Sequence, residues 1–197
     1  MEEAISMSGI GELPLVIHNA MRPGPGTGLP TRTEQGDLNL AMYAGHGDFP
    51  RVLLAPTSLE SGVELGQKAF NIADKYQVPV IILSDANYLS QSMNLGKVNL
   101  EENEYHVVES TEDYKRYQYT ESGISPRSVP GYGKGLVKVD SDEHTEEGLI
   151  TEDFDVRIKM MDKRMKKLDK YVDIEPELVG NPDYETLIVG WGSTYGA

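Results

Sequence analysis

Cysteine is absent from the 197 residues. The chain can therefore form no disulfide, hold no Cys-ligated iron–sulfur cluster and offer no thiol nucleophile. Any such chemistry needs a partner chain. Long apolar runs are missing too; none approaches the roughly 20 residues that a membrane span needs. Basic residues are scarce against acidic ones, 18 Lys and Arg to 32 Asp and Glu, for a net charge of −14. Nucleic-acid backbones are bound by clustered cations, so this balance argues against a nucleic-acid partner. The acid excess reads as solubility, or as adaptation to a salty or hot host. The opening MEEAISMSG has no basic residue, which reads against a secretory leader and for a cytoplasmic location. The length suits one domain, or one domain with pieces of another, and a mean hydropathy of −0.42 suits a soluble chain.

Glycine and proline, by contrast, are concentrated in one place. Arg22 to Thr31 packs three Gly and three Pro into ten residues. Gly permits positive φ and close backbone approach, while Pro fixes φ near −65°. The result is a loop that is stiff at some points and permissive at others. Its main polar side chains are Arg22, Thr27 and Thr31. A strand-like run, Leu13 to Ile17, precedes it, and helix signals follow from Glu34 to about Tyr43. In α/β proteins ligands sit beyond the carboxyl ends of strands, where this loop falls.

The rest of the chain reads as α/β with a largely parallel sheet flanked by helices, truncated at both ends. Glu2 to Met7 looks like the end of a helix. Arg51 to Ala55 is a second strand. Thr57 is the expected cap of the next helix, with Glu60 completing a capping box. Leu59, Val63, Phe70 and Ala73 recur at helical spacing, with small Gly62 and Gly66 on the same side to let the helix lie close to a sheet. That helix stops near Gln77, before Pro79. Pro79 to Leu83 is an unbroken apolar run, as in a strand buried on both faces of a parallel sheet. Ser84 and Asp85 fall at its carboxyl end, on the same edge as the Gly/Pro loop.

After about Asn94 the chain turns polar, acidic and turn-rich. Residues 97–150 read as a long excursion of short strands or hairpins that packs on another domain or subunit. Residues 151–172 then read as an amphipathic helix, burying Phe154, Ile158, Met161, Met165, Leu168 and Val172. Its basic residues read as a solvated face, or as a contact for an acidic surface. A turn at Gly180 to Asp183 leads to a fresh strand, Thr186 to Gly190. Three regions follow: 1–95, 96–180 and 181–197.

Each motif has a plain reading beside the functional one. The loop lacks the Gly-Lys-Ser/Thr ending of a Walker loop, and Gly24, Gly26 and Gly28 lack dinucleotide-fingerprint spacing. It is either a structural turn or a cradle for a small anion. Arg22 favours the second, since a guanidinium holds a carboxylate by two parallel bonds. Thr27 and Thr31 could bond a carbonyl oxygen, or serve local turns. His144 with Glu146 and Glu147 is either a weak metal cluster or a solvated turn; no metal site is assigned.

Arg22-Pro23-Gly24-Pro25-Gly26-Thr27-Gly28-Leu29-Pro30-Thr31, followed by Gln35-Gly36-Asp37-Leu38, resembles the alpha subunit of 2-oxoacid:ferredoxin oxidoreductases, particularly the 2-oxoglutarate type. The family pattern has Gly where Pro23 stands and Ser where Gly26 stands. The likeness continues through Val78 to Asp85, Glu143 to Gly148, Lys163 to Met165 and Val189 to Ser193, and so covers nearly the whole chain.

The resemblance implies a thiamine diphosphate-binding fold. Residues 1–95 would be the later half of the pyrimidine-binding domain. Residues 96–180 would be a connecting region, and 181–197 the start of a transketolase-C-terminal-like domain. It implies oxidative decarboxylation of a 2-oxoacid, 2-oxoglutarate in preference to pyruvate, with acyl transfer to coenzyme A and electrons passed to ferredoxin. A beta subunit would hold the diphosphate, its Mg²⁺ and a [4Fe–4S] cluster, none of which would be this chain's own. Gamma and delta subunits are further expected partners. Arg22 would bind the substrate carboxylate and Thr31 would lie near the keto oxygen; Thr27, from its place on the loop, is the third candidate substrate contact. The Glu that activates the aminopyrimidine would lie before residue 1, so the catalytic residue is unassigned. The competing reading is a non-catalytic subunit-interface module. A third is a small-anion-binding module without thiamine.

Overall fold

The structure is a computed structural model that describes residues 2–98, 100, 102–171 and 176–195. Three parallel strands form one sheet in the order β1-β3-β2. β1 is Leu15–Met21, β2 is Val52–Leu54 and β3 is Pro79–Asp85. All three expected strands are therefore present and parallel. β3 is central, as its unbroken apolar run requires, with Val80, Ile81 and Leu83 buried.

β1 starts two residues later than expected and runs on to Met21. Leu13 is tied instead to helix α1 (Glu2–Ile10): its N–H bonds Ser8 O at 2.9 Å and its carbonyl accepts from Ser8 Oγ at 2.7 Å. The polar His18-Asn19 pair hid the second half of the strand. Helix α2 is only Leu38–Tyr43, because Gln35 and Asp37 are spent on loop anchors rather than on a first turn.

Helix α3 (Leu59–Tyr76) crosses between β2 and β3. Its cap is Ser58, not Thr57. Ser58 Oγ accepts from Ser61 N at 3.2 Å, and Ser61 Oγ accepts from Ser58 N at 2.9 Å, so Glu60 takes no part. Gln77 ends it with φ +54 and an N–H bonded to Ala73 O at 2.9 Å. Ala69, Ile72 and Ala73 pack with Val52, Leu54 and Val80 on one side of the sheet. Val63 and Phe70, expected in that face, are exposed, Phe70 by 64%. Nor do both glycines seat the helix on the sheet. A Cβ at Gly62 would strike the Tyr88 hydroxyl of α4 (Ala86–Leu89), and one at Gly66 would meet nothing within 4 Å. Met21, Ala41, Ile81 and Leu83 form the core on the other side, with Trp191 packed against it. Each Val, Leu, Ile or Met side chain among these contributes about 1.5–3 kcal/mol when fully buried.

The excursion does not lie apart from this unit. It contains only two isolated bridges among its described residues, Ser110 with Gly133 and His144 with Ile150, yet it folds back onto the chain. Arg127 pairs with Asp74 of α3, and Gln77 Nε2 donates to Ser125 O at 2.6 Å. Tyr117 is completely buried. Sparse regular structure had suggested an external partner; side-chain bonds to its own chain hold it instead.

The amphipathic helix is shorter than expected and turned over. Helix α5 is Phe154–Met165, followed by one 3₁₀ turn, Lys166–Leu168; Val172 lies outside the described residues. Phe154 and Ile158 are 83% and 59% exposed, while Met160, Lys163, Arg164 and Lys167 are buried. The reason is electrostatic. Lys163 Nζ lies 2.6 Å from Glu12 Oε1, and Lys167 Nζ 2.7 Å from Oε2. Arg164 meets Glu143 at 2.7 Å. Lys163, Arg164 and Lys167 thus lie inward on the carboxylates of Glu12 and Glu143, while Arg157, Lys159, Lys166 and Lys170 stay on the expected solvated face. Finally, Thr186 to Gly190 forms no strand; it is exposed, and no described strand pairs with it.

Candidate functional site

β1 and β3 end side by side, with Met21 and Asp85 in register. The Gly/Pro loop leaves from this edge. Gly26 and Gly28 take φ +62 and +50, and Leu29 N bonds Pro23 O at 3.0 Å, closing the loop on itself. A Cβ at Gly28 would run into the Pro23 carbonyl, so this position needs glycine for space as well as for φ. Arg22, Thr27 and Thr31 are all exposed on this one loop. Among the described residues none of the three has a side-chain hydrogen bond or ion pair. Arg22 thus keeps its planar donor fork for a ligand.

The far end of the loop is fastened down by residues to which sequence reasoning had given no role. Asp37 Oδ2 accepts from Asn19 Nδ2 of β1 at 3.1 Å. Gln35 Nε2 donates to the Trp191 carbonyl at 2.8 Å. Asp85 is buried with both oxygens engaged: Oδ1 accepts Tyr88 N at 2.9 Å and Oδ2 accepts Ser193 Oγ at 2.5 Å. On the opposite side of the sheet, His18 Nε2 and Ser84 Oγ are 2.6 Å apart. Ser84 and Asp85 had a signal in their place at a strand's carboxyl end, and Gln35, Asp37 and Ser193 in the family likeness, but no anchoring role could be read from either. Its partner Ser193 is 108 positions away.

Among the described residues no three His, Cys, Asp or Glu side chains converge as a metal site. Asp85, at the end of β3, and Asp37, at the far end of the loop, already accept hydrogen bonds from neighbours. His144 has Nδ1 2.8 Å from the Asp142 carbonyl and its ring against Tyr117, with centroids 3.7 Å apart. What the loop suits is a small organic anion, held by Arg22 above a shaped backbone.

Residues 1–163 match the family described as pyruvate flavodoxin/ferredoxin oxidoreductase, thiamine diphosphate-binding. The chain belongs to this family. Over 209 residues it is 41% identical to 2-oxoacid:ferredoxin oxidoreductase 1, subunit alpha, of Sulfurisphaera tokodaii, covering 100% of this chain and 33% of that protein. It is 34% identical to 2-oxoglutarate synthase subunit KorA of Archaeoglobus fulgidus, covering 99% of this chain and 50% of that one. The structure of 2-oxoglutarate:ferredoxin oxidoreductase from Magnetococcus marinus, with 2-oxoglutarate, coenzyme A and succinyl-CoA bound, superposes with a TM-score of 0.81 at 34% identity. That match covers 91% of this chain and 33% of the other. The chain therefore spans a third to a half of the length of these family members. The thiamine diphosphate-binding fold expected from the loop motif is the fold found.

Proposed function

We propose that this chain supplies substrate recognition within the alpha subunit of a 2-oxoacid:ferredoxin oxidoreductase. The observation that carries the reading is Arg22, a cation without an internal partner on a Gly/Pro loop at the carboxyl edge of the sheet. The whole enzyme decarboxylates a 2-oxoacid, passes the acyl group to coenzyme A and sends the electrons to ferredoxin. Thiamine diphosphate supplies the carbanion chemistry. Arg22 binds the substrate carboxylate by two parallel bonds, Thr31 donates to the keto oxygen and Thr27 bonds the acid beside them. The beta subunit holds the diphosphate, Mg²⁺ and a [4Fe–4S] cluster, a division that the lack of Cys in this chain supports for the cluster. Residues 1–95 serve the pyrimidine-binding domain, 96–180 connect, and 181–197 open a transketolase-C-terminal-like part. The enzyme works in the cytoplasm; among the described residues no helix is long and apolar enough to cross a membrane. 2-Oxoglutarate is the favoured substrate, because the structural relative carries it; pyruvate is the alternative.

The test is the loss of kcat/KM in Arg22→Ala, in the assembled enzyme, for the 2-oxoacid relative to its neutral methyl ester. A carboxylate contact makes that ratio large. A ratio near one removes Arg22 from the site. A second reading, an interface module without a catalytic role, draws on the exposed apolar side chains of Phe154, Val179, Ile188 and Val189. It predicts equal losses for acid and ester, and dissociation of subunits when those side chains are made polar.

A further inference from the structure

The turn Gly192–Thr194 lies more than 150 residues after the substrate loop, yet the two are bonded together. Three contacts bring this about. Gln35 Nε2, near the end of the loop, donates to the Trp191 carbonyl at 2.8 Å. Ser193 Oγ donates to the buried carboxylate of Asp85 at 2.5 Å, where β3 ends. Trp191 packs against the Met21, Ala41, Ile81 and Leu83 cluster, beneath the point where the loop departs. Gly192 between them has φ +61, and a Cβ there would crowd Gln35 Nε2 at 3.1 Å. A side chain at 192 would therefore press on the contact that joins loop and turn.

We infer that Gln35 and Ser193 are positioning residues: they fasten the 191–194 turn across the sheet edge and so hold the loop with Arg22 in one place. This rests on the assignment of Arg22 as the carboxylate contact. The physical logic follows from what is anchored. The loop's start is fixed by β1, and its far end by Asp37 on Asn19 and Gln35 on Trp191. The segment between closes on itself through Leu29 N and Pro23 O and makes few other bonds. A loop held at both ends has fewer conformations to lose when it binds, and preorganisation of this kind is expressed in affinity. The Asp85–Ser193 bond matters because Asp85 is buried. Without Ser193, Oδ2 loses its partner, and the turn loses its tie to the strand.

The experiment uses the full-length subunits assembled as the enzyme. Gln35→Ala, Gln35→Glu, Ser193→Ala and Ser193→Thr are compared by amide hydrogen exchange of residues 22–34 without substrate, and by kinetics. Gln35→Glu keeps the size but has no N–H to give Trp191; Ser193→Thr keeps the hydroxyl. The first three should exchange faster in 22–34 and raise KM for the 2-oxoacid roughly 3- to 10-fold, the effect of one lost hydrogen bond. Their kcat should stay within about twofold and the KM for coenzyme A should not move. Ser193→Thr should match the wild type. Unchanged exchange in 22–34 overturns the inference, as does a Gln35→Glu enzyme equal to wild type. A loosened loop with unaltered KM overturns it too. So does a fall in thermal midpoint with equal losses in every kinetic parameter, which marks a purely structural role. If the loop loosens and KM rises while Arg22→Ala loses acid and ester alike, the positioning role stands and the Arg22 assignment falls.

Discussion

Glu12 and Lys163 stand 151 positions apart in the chain and meet at 2.6 Å with both side chains buried. Lys167 occupies the other carboxylate oxygen and also donates to Gln77 O at 2.9 Å. Arg116 Nη2 reaches the Glu12 carbonyl at 2.6 Å. One carboxylate thus ties the α1–β1 turn to α5. Burial alone would raise the Glu12 pKa, but Lys167 and Lys163 beside it hold it down at about 2. Burial pushes Lys167 down to about 8, against the pull of Glu12.

Glu12→Gln leaves two buried ammonium groups without a counter-charge. Removing one partner of a buried pair costs about 3–5 kcal/mol. Denaturant unfolding should show a loss of that order near neutral pH. The depressed carboxyl contributes stability that is fully present above its ordinary value of 4.5 and is lost as pH falls toward about 2. The gap between wild type and Glu12→Gln should therefore narrow across that window. A gap that does not change with pH would contradict the pairing.

His144 is fully buried, and burial lowers its pKa from the ordinary 6.5. The folded chain binds this proton less readily, so as pH falls through about 6.5 the unfolded chain takes it up first. Stability contributed by this group should fall as pH drops below that value. His144→Phe keeps a ring against Tyr117 but cannot titrate. It should be less stable than wild type at pH 8, and the difference should shrink toward pH 5, read by thermal unfolding.

Gly28 and Gly26 make a matched pair. Both have positive φ, but only Gly28 is crowded, by the Pro23 carbonyl, while Gly26 has nothing within 4 Å. Gly26→Ala bears the left-handed backbone alone, about 1–2 kcal/mol. Gly28→Ala must also open the loop. In the assembled enzyme it should raise KM for the 2-oxoacid more than Gly26→Ala does, with little change in the global unfolding midpoint.

Arg22→Ala should weaken use of the 2-oxoacid by roughly 10- to 100-fold, since a hydrogen bond to a charged group contributes about 1.5–3 kcal/mol. Arg22→Lys should also fall short, because an ammonium cannot make the planar two-point contact. If the contact is equal in ground and transition states, KM carries the loss.

The purified chain should not turn over alone. Viologen reduction with a 2-oxoacid, thiamine diphosphate, Mg²⁺ and coenzyme A should stay at blank level. Clear turnover would contradict the assignment of diphosphate and metal to the beta subunit.

The strands, the crossover helix and the Gly/Pro loop were legible in the sequence because each rests on local chemistry. An unbroken apolar run needs two covered faces, and three Gly with three Pro can only be a shaped loop. The loop motif also carried the family, since its residues match a pattern without reference to the rest of the fold. Tertiary structure decided which face of α5 is buried. Spacing alone favours Phe154 and Ile158, but two carboxylates, Glu12 and Glu143, draw Lys163, Lys167 and Arg164 inward. The partner of a buried charge lies anywhere along the chain, and no periodicity records it. The same holds for the anchors of the loop. Gln35 and Ser193 belong to the family likeness, but their roles emerge only when folding brings the 191–194 turn to the end of β3, where a backbone carbonyl and a buried carboxylate each take one donor from them.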